Sequence, residues 1–334
     1  DNTKNQLPEA DRQVFELENQ TNETIGASYA MYEKIVNREQ LEEWIIEIEH
    51  LHYCAIDVET TSLDELETDL VGISLATKPG KACYIPLGHT TGKQESKIAP
   101  NFSENQLPLD YVLQRLKTIF ENPSILKIGQ NIKFDLKVLR KHQIFLNSFE
   151  DTMLMSYALH SGLHRHGLDY LSEKYLNHNP IPISSLIGSG SGKKKFSEVS
   201  ILEATQYAAE DADITIRLWN IFRPMLSEKR VTGVYKQIEL DLVSALAQME
   251  LNGILVDGRI LENLSKEFGT KIDKLEGQIF EISKEKFNVG SPKQLGSILF
   301  DKLGIKGGKK GKTGSYTTDA EVLETLAAEG HLLP

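Results

Sequence analysis

The sequence predicts an α/β fold, a mixed sheet flanked by helices, followed by an all-helical segment. Three observations carry this. Apolar, β-rich runs at Tyr53–Val58, Leu70–Thr77 and Ala82–Leu87 follow one another on short links, the pattern of an antiparallel meander. A further run, Ser124–Gly129, stands between two stretches of helical spacing, which adds a strand of the α/β kind. From about Val234 onward the apolar spacing is helical throughout.

Taken in order, residues 1–32 are polar, acidic and weakly periodic, so they read as a lead-in or linker. Residues 38–50 have helical spacing, and Pro79-Gly80 makes the turn between the second and third strands. Helices are expected over about Glu104–Phe120, from an N-cap at Asn131, and over Thr152–His160 and Leu168–Leu176. Ile187–Lys195 (IGSGSGKKK) reads as a loop, and Ser200-x-x-Glu203 is a capping box opening a helix to about Phe222. Beyond it, Val234–Asn252 stops at the C-cap signal Gly253, and a long helix over Arg259–Lys286 is broken at Gly269. Ser291-Pro292 opens a short helix, Lys306–Ser315 is a basic loop, and Thr318-x-x-Glu321 caps the last helix. The domains expected are 1–32, 33–226 and 227–334, and a chain that starts at Asp1 is expected to be part of a longer protein.

The bulk numbers set limits on partners. With 334 residues, 40% hydrophobic and 25% charged, the chain has the composition of a globular protein and room for two or three cores. No apolar run reaches the roughly 18 residues of a membrane span. Cys54 and Cys83 have no paired spacing and sit in apolar runs, so a reduced, cytoplasmic protein is expected. The net charge of −11 is concentrated at one end: residues 1–50 carry 12 acidic and 4 basic side chains, the rest 36 and 33. The near-neutral remainder leaves room for basic patches that meet a polyanion.

Three acidic segments stand out. Asp57-Val-Glu59 ends the first strand, where residues i and i+2 point the same way. Asn131 and Asp135 are four apart at the start of a helix, as are Tyr207 and Asp211 inside another, so each pair shares a face. Singly, each pattern has a bland explanation: a solvated acid, a capped helix, a structural tyrosine. Together, Asp57, Glu59, Asp135 and Asp211 could converge at one end of the sheet, where carboxylates without cations repel one another. Oxygen-only ligands point to two divalent cations, Mg²⁺ or Mn²⁺, and paired metals about 4 Å apart suit phosphodiester hydrolysis.

The segments AIDVETTSLD, IGQNIKFDLKVL and YAAEDADIT resemble the three exonuclease motifs of the DEDD superfamily in its tyrosine-containing branch, and most of all the proofreading domain of bacterial family A DNA polymerases. MELNGILVD, FNVGSPKQLGSILFDKLGI and TTDAEVLETLA resemble the start of the polymerase domain, including its thumb, so the resemblance covers about residues 33–334. It implies a ribonuclease H-like exonuclease fold and hydrolysis of DNA from the 3′ end. Asp57 would bridge two metals, Glu59 and Asp211 would complete the site of the metal that carries the nucleophile, Asp135 would hold the second, and Tyr207 would orient the attacking water. Thr60, Leu63, Gln130, Asn131, Phe134 and Phe196 fall where the family contacts the 3′-terminal nucleotides, with phenylalanine at 134 where some relatives have tyrosine. The palm and fingers of a polymerase lie beyond the segments matched, so this chain alone is expected not to polymerise.

Lys306, Lys309, Lys310 and Lys312 lie among four glycines. A solvated linker is the plain reading; the resemblance to a thumb favours contact with the phosphates of duplex DNA. His164-Arg165-His166 reads as a polar turn before a helix, Asp151 as a helix cap, and Trp44 and Trp219 as core. Two rivals to a DNA nuclease remain at this level: an RNA-trimming exonuclease on the same fold, as in the ribonuclease D group, and a non-catalytic DNA-binding module. A monomer is expected.

Overall fold

The computed structural model describes residues 32–90, 106–311 and 314–333. The lead-in at 1–31, the start of the helix expected at 104, and Lys312 lie outside the described residues. The chain divides into two compact units after Gly253. Among the described residues no helix is long and apolar enough to cross a membrane.

The first unit is built on a six-stranded mixed sheet. Its strands are β1 (Glu33–Lys34), β2 (Tyr53–Thr60), β3 (Leu70–Lys78), β4 (Lys81–Pro86), β5 (Leu126–Gly129) and β6 (Phe149–Asp151), in spatial order β1-β4-β3-β2-β5-β6. The meander is antiparallel, as expected, and β5 and β6 add in parallel beside β2. Tyr53 pairs with Leu126 and Ala55 with Ile128, so β2 runs on past the end of β5, and a bulge at Glu59/Thr60 twists its last residues. Side groups alternate along β2: Cys54, Ile56 and Val58 enter one apolar cluster and Ala55 the opposite one. Asp57 and Glu59 continue the row of Ala55.

On the first face lie α1 (Arg38–Leu51), α2 (Leu109–Phe120) and α3 (Ile132–Lys141), around Trp44, Leu116, Phe120 and Leu136. On the other lie α4 (Thr152–His160), α5 (Leu168–Leu176) and α7 (Ile201–Glu228), around Ile216, Trp219 and Phe222, with the short α6 (Ile183–Ile187) near its edge. The row Ala55, Ala76 and Ala82 is small, which lets α7 approach β2, β3 and β4 closely. One glycine is required here: a Cβ on Gly72, the partner of Glu59 across the ladder, would meet the Tyr84 hydroxyl oxygen at 2.1 Å.

Several elements differ from expectation for local reasons. α2 starts at Leu109, because Pro108 is extended and stands as its N-cap. β5 starts at Leu126, because Ser124 N and Ile125 N turn back onto Asn122. Cys54 and Cys83 are buried free thiols. The helix α8 (Leu240–Asn252) packs on α3 and buries Val243 and Ala247 in the core of the first unit, which runs to Gly253.

The second unit holds α9 (Gly258–Ser283), α10 (Pro292–Gly296) and α11 (Ala320–Ala328), with a small core of Leu295, Ile298, Leu299 and Leu333. α9 is continuous through Gly269, since the cost of about 1 kcal/mol for one helical glycine is small beside the bonds of a long helix. Asp319, not Thr318, caps α11, its carboxylate accepting from Val322 N.

Candidate active site

Asp57 and Glu59 project from the end of β2 toward α7. On α7, Tyr207 and Asp211 face the sheet one helical turn apart, placed by the buried alanines Ala204, Ala208, Ala209 and Ala212 beside them. Carboxylate oxygens of Asp57, Glu59 and Asp211 all lie within 4.8 Å of one another, the one such group of metal-ligating residues among the described residues. The fourth acid arrives from the opposite side. Asp135, on the first turn of α3, is buried, and its Oδ1 accepts from Val58 N at 2.9 Å, between the other two acids of β2. Four carboxylates from three elements therefore meet at one end of the sheet.

Their electrostatics are unbalanced. Burial pushes the Asp57 carboxyl up to about 7. Burial first, then Asp57, Asp211 and Asp135, holds Glu59 well above the usual carboxylate range. Asp135 and Asp211 are raised by burial and by Asp57. The Tyr207 hydroxyl donates to Asp211, and burial beside the acids pushes its own ionisation far up, so it is a neutral phenol at any working pH. The cluster is all oxygen and cannot hold four negative charges without counter-charge. That is the chemistry of a divalent-cation site, and the all-oxygen donor set fits a hard cation.

The acids are supported by Asp151, read from the sequence as a helix cap, and by His89 and Tyr84, which the sequence did not single out. Asn131 is the N-cap position of α3, but it is left-handed (φ 61°) and makes no side-chain cap. The free N–H groups go to Asp151: Asn131 N and Ile132 N donate to its carboxylate at 3.1 and 2.9 Å, and Met153 N donates at 2.8 Å as the cap of α4. One buried acid thus anchors the first turns of two helices. Behind Tyr207, the His89 Nδ1 lies 3.0 Å from the Val199 carbonyl, which fixes the proton on Nδ1, so Nε2 accepts from the Tyr84 hydroxyl at 2.8 Å. Burial lowers His89 to about 4 and keeps the ring neutral.

The expected nucleotide contacts are placed as follows. Leu63 stands 86% exposed beyond the end of β2. Thr60, Gln130 and Phe134 are half-buried and Asn131 is exposed. The Gln130 amide donates to the His166 carbonyl and its oxygen accepts from Thr152 Oγ1. Phe196 is buried, its ring 5.8 Å from that of Tyr207, so it backs the tyrosine rather than standing in the open. Glu210 and Asp213 are buried: Glu210 accepts from Ile181 N, and Asp213 makes a local pair with Arg217 and accepts from Tyr32 and Gly80 N. In the turn at His164–His166, His166 bonds Ser156 Oγ and the Ser161 carbonyl, and the three residues supply no metal group. In the second unit, Lys310 bridges to Tyr316 and sits over its ring at 4.6 Å, while Lys306 and Lys309 lie in the same loop.

Comparison with known proteins agrees with this geometry. A family model described as 3′–5′ exonuclease matches residues 32–227, and one described as DNA polymerase family A matches residues 258–334. The chain is 43% identical to DNA polymerase I of Rhizobium leguminosarum over 93% of its own length and 31% of the relative's. It is 38% identical to DNA polymerase I of Pseudomonas aeruginosa over 99% of its length and 36% of the relative's. The chain therefore spans about a third of the curated relatives it matches. A solved structure, the POL domain of Pol1 from M. smegmatis in complex with DNA primer-template and dNTP, shares the fold with a TM-score of 0.65 at 24% identity, over 89% of this chain and 46% of that one. With more than half of its residues matched to the 3′–5′ exonuclease model, the chain belongs to the 3′–5′ exonuclease family.

Proposed function

We propose that this chain hydrolyses the 3′-terminal phosphodiester of DNA and releases 5′-mononucleotides, as the proofreading part of a longer, monomeric, cytoplasmic DNA polymerase of family A acting in replication and repair. The observation that carries the proposal is the convergence of Asp57, Glu59 and Asp211 within 4.8 Å, with Asp135 bonded to the backbone between the first two.

Asp57, Glu59, Asp135 and Asp211 are the residues that would hold two divalent cations, Mg²⁺ or Mn²⁺. When bound, these supply activation of water and neutralisation of charge at the phosphate. The chain's own residues do the rest. Tyr207, donating to Asp211, keeps its oxygen lone pairs free to accept from the attacking water and so fixes the angle of approach. Because it stays protonated, it positions the water and does not act as a base. Leu63 stands ready to wedge against the terminal base, a contact indifferent to base identity, as removal of any misplaced nucleotide requires. Thr60, Gln130, Asn131 and Phe134 line the approach of the 3′ nucleotide, and Phe196 steadies Tyr207 from behind. Lys306, Lys309, Lys310 and Lys312 are assigned to phosphates of duplex DNA, positioning without reading sequence.

The test compares matched single-stranded DNA and RNA in Mg²⁺, with products identified by mass. Release of 5′-deoxynucleotides, faster from DNA than ribonucleotides from RNA, is expected. Preference for RNA would overturn the DNA assignment, and binding without turnover would leave a non-catalytic module.

A further inference from the structure

On the far side of α3 from Asp135, an open cavity of about 460 Å³ is lined by Asn131, Phe134, Lys133, Lys137, Glu65 and Glu250, among others. Two of these, Asn131 and Phe134, are assigned above to the 3′ nucleotide. The other four form a chain of ion pairs. The Lys137 ammonium, on a side chain only 6% exposed, is held between Glu65 at 2.7 Å and Glu250. Lys133 pairs with the other oxygen of Glu250. Glu250 belongs to α8, in the stretch between the two family matches, which end at residue 227 and resume at 258. Because Asn131 and Phe134 also line this cavity, a strand whose last nucleotide touches them borders this wall. There it meets two lysines whose charges are already answered by carboxylates.

We infer that the Glu250 and Glu65 carboxylates occupy the place of backbone phosphates in this cavity, so that a single-stranded nucleic acid must displace them to reach Lys133 and Lys137. The inference rests on the nuclease reading and adds a control to it. As the cavity stands, three acids (Asp64, Glu65 and Glu250) outweigh two lysines, so a polyanion is held off. Once the carboxylates swing away, both ammonium groups become phosphate contacts. The exposure of the partners permits this, since Glu250 is 40% and Glu65 27% exposed and neither carries burial that would lock it. The arrangement makes entry of a 3′ end conditional on exchanging one set of ion pairs for another. It also gives α8 a direct grip on the nuclease.

The experiment is equilibrium binding of a fluorescent oligothymidylate in EDTA, across a series of NaCl concentrations. Glu250→Gln is expected to bind several-fold tighter at low salt. Its slope of log Kd against log salt is expected to steepen by about 0.7, the value for one further phosphate contact on a single strand. Adding Lys133→Gln to Glu250→Gln should return most of both changes. Glu65→Gln, which frees Lys137 from a loop and leaves α8 untouched, should act in the same direction. Unchanged affinity and slope in both glutamine variants, with unfolding midpoints matching the wild type, would overturn the inference. If the wild type shortens the strand in Mg²⁺ while the variants bind as it does, only this inference falls. If the wild type neither binds nor shortens it, the nuclease reading falls as well.

Discussion

Two charged clusters flank α3, and they differ in one respect. On the sheet side, Asp57, Glu59, Asp135 and Asp211 are like charges drawn together, and burial pushes every one toward protonation. On the α8 side, Glu65, Lys137, Glu250 and Lys133 alternate in sign; the two lysines hold the Glu250 carboxyl below its ordinary range, and Glu250 and Glu65 hold Lys137 above its own, against the cost of burial. An imbalance that the fold maintains at a strand end is the chemistry of a cation site. A balanced network signals nothing by itself, and becomes informative through where it lies and what must pass it.

The comparison can be broken most sharply at Asp57. Asp57→Ala should lower metal-dependent DNA degradation by at least on the order of 10³-fold, judged by the worth of single preorganised electrostatic groups. It should leave the fold intact or more stable, since it removes one of four mutually repelling acids; initial rates and thermal unfolding together test this. Tyr207→Phe comes next. Loss of one positioning hydroxyl should cost about 10²-fold in rate. Cation affinity, measured by calorimetry, should be nearly unchanged, because the phenol is a neighbour of the site and not a ligand. Equal loss of cation affinity would reassign Tyr207.

Asp151→Asn tests the shell that aims α3. It weakens a carboxylate that accepts from two helix starts, so denaturant unfolding should show a loss of about 1–2 kcal/mol. The smallest effect is expected at Lys127. Its ammonium is fully buried and donates to the Asn122 and Ile125 carbonyls at 2.9 and 2.6 Å. Burial lowers its ionisation to about 8. Between that value and the ordinary one near 10.5, the unfolded chain binds more protons than the fold, so this group makes stability rise with pH. The difference in unfolding free energy between wild type and Lys127→Met should therefore drift in favour of the wild type from pH 8 to pH 10. A flat difference would mean that the carbonyls stabilise the charged form fully.

Much of the site was legible because strand and helix periods alone put Asp57 with Glu59 and Tyr207 with Asp211. The strand order of the meander followed from short links and a Pro-Gly turn. What periodicity cannot carry is contact across the chain. The bond from Val58 N to Asp135 spans 77 residues, and the grip of Asp151 on Ile132 N spans 19. The Asn131 position was found and its cap was not, because a left-handed residue cannot aim its own side chain at the first turn. β1 and β6, with two and three residues, are too short to show a period. Val243 and Ala247 look like any helical pair until the core they enter is seen.

The measurement that tests the central claim most directly is digestion of a 5′-labelled single-stranded DNA in Mg²⁺, in Mn²⁺ and in EDTA, beside Asp57→Ala. A ladder that shortens from the 3′ end in either metal, and vanishes with EDTA and in the variant, is the predicted result. Full-length DNA in every lane from a folded wild-type protein, or a ladder that survives EDTA or the loss of Asp57, would contradict the account.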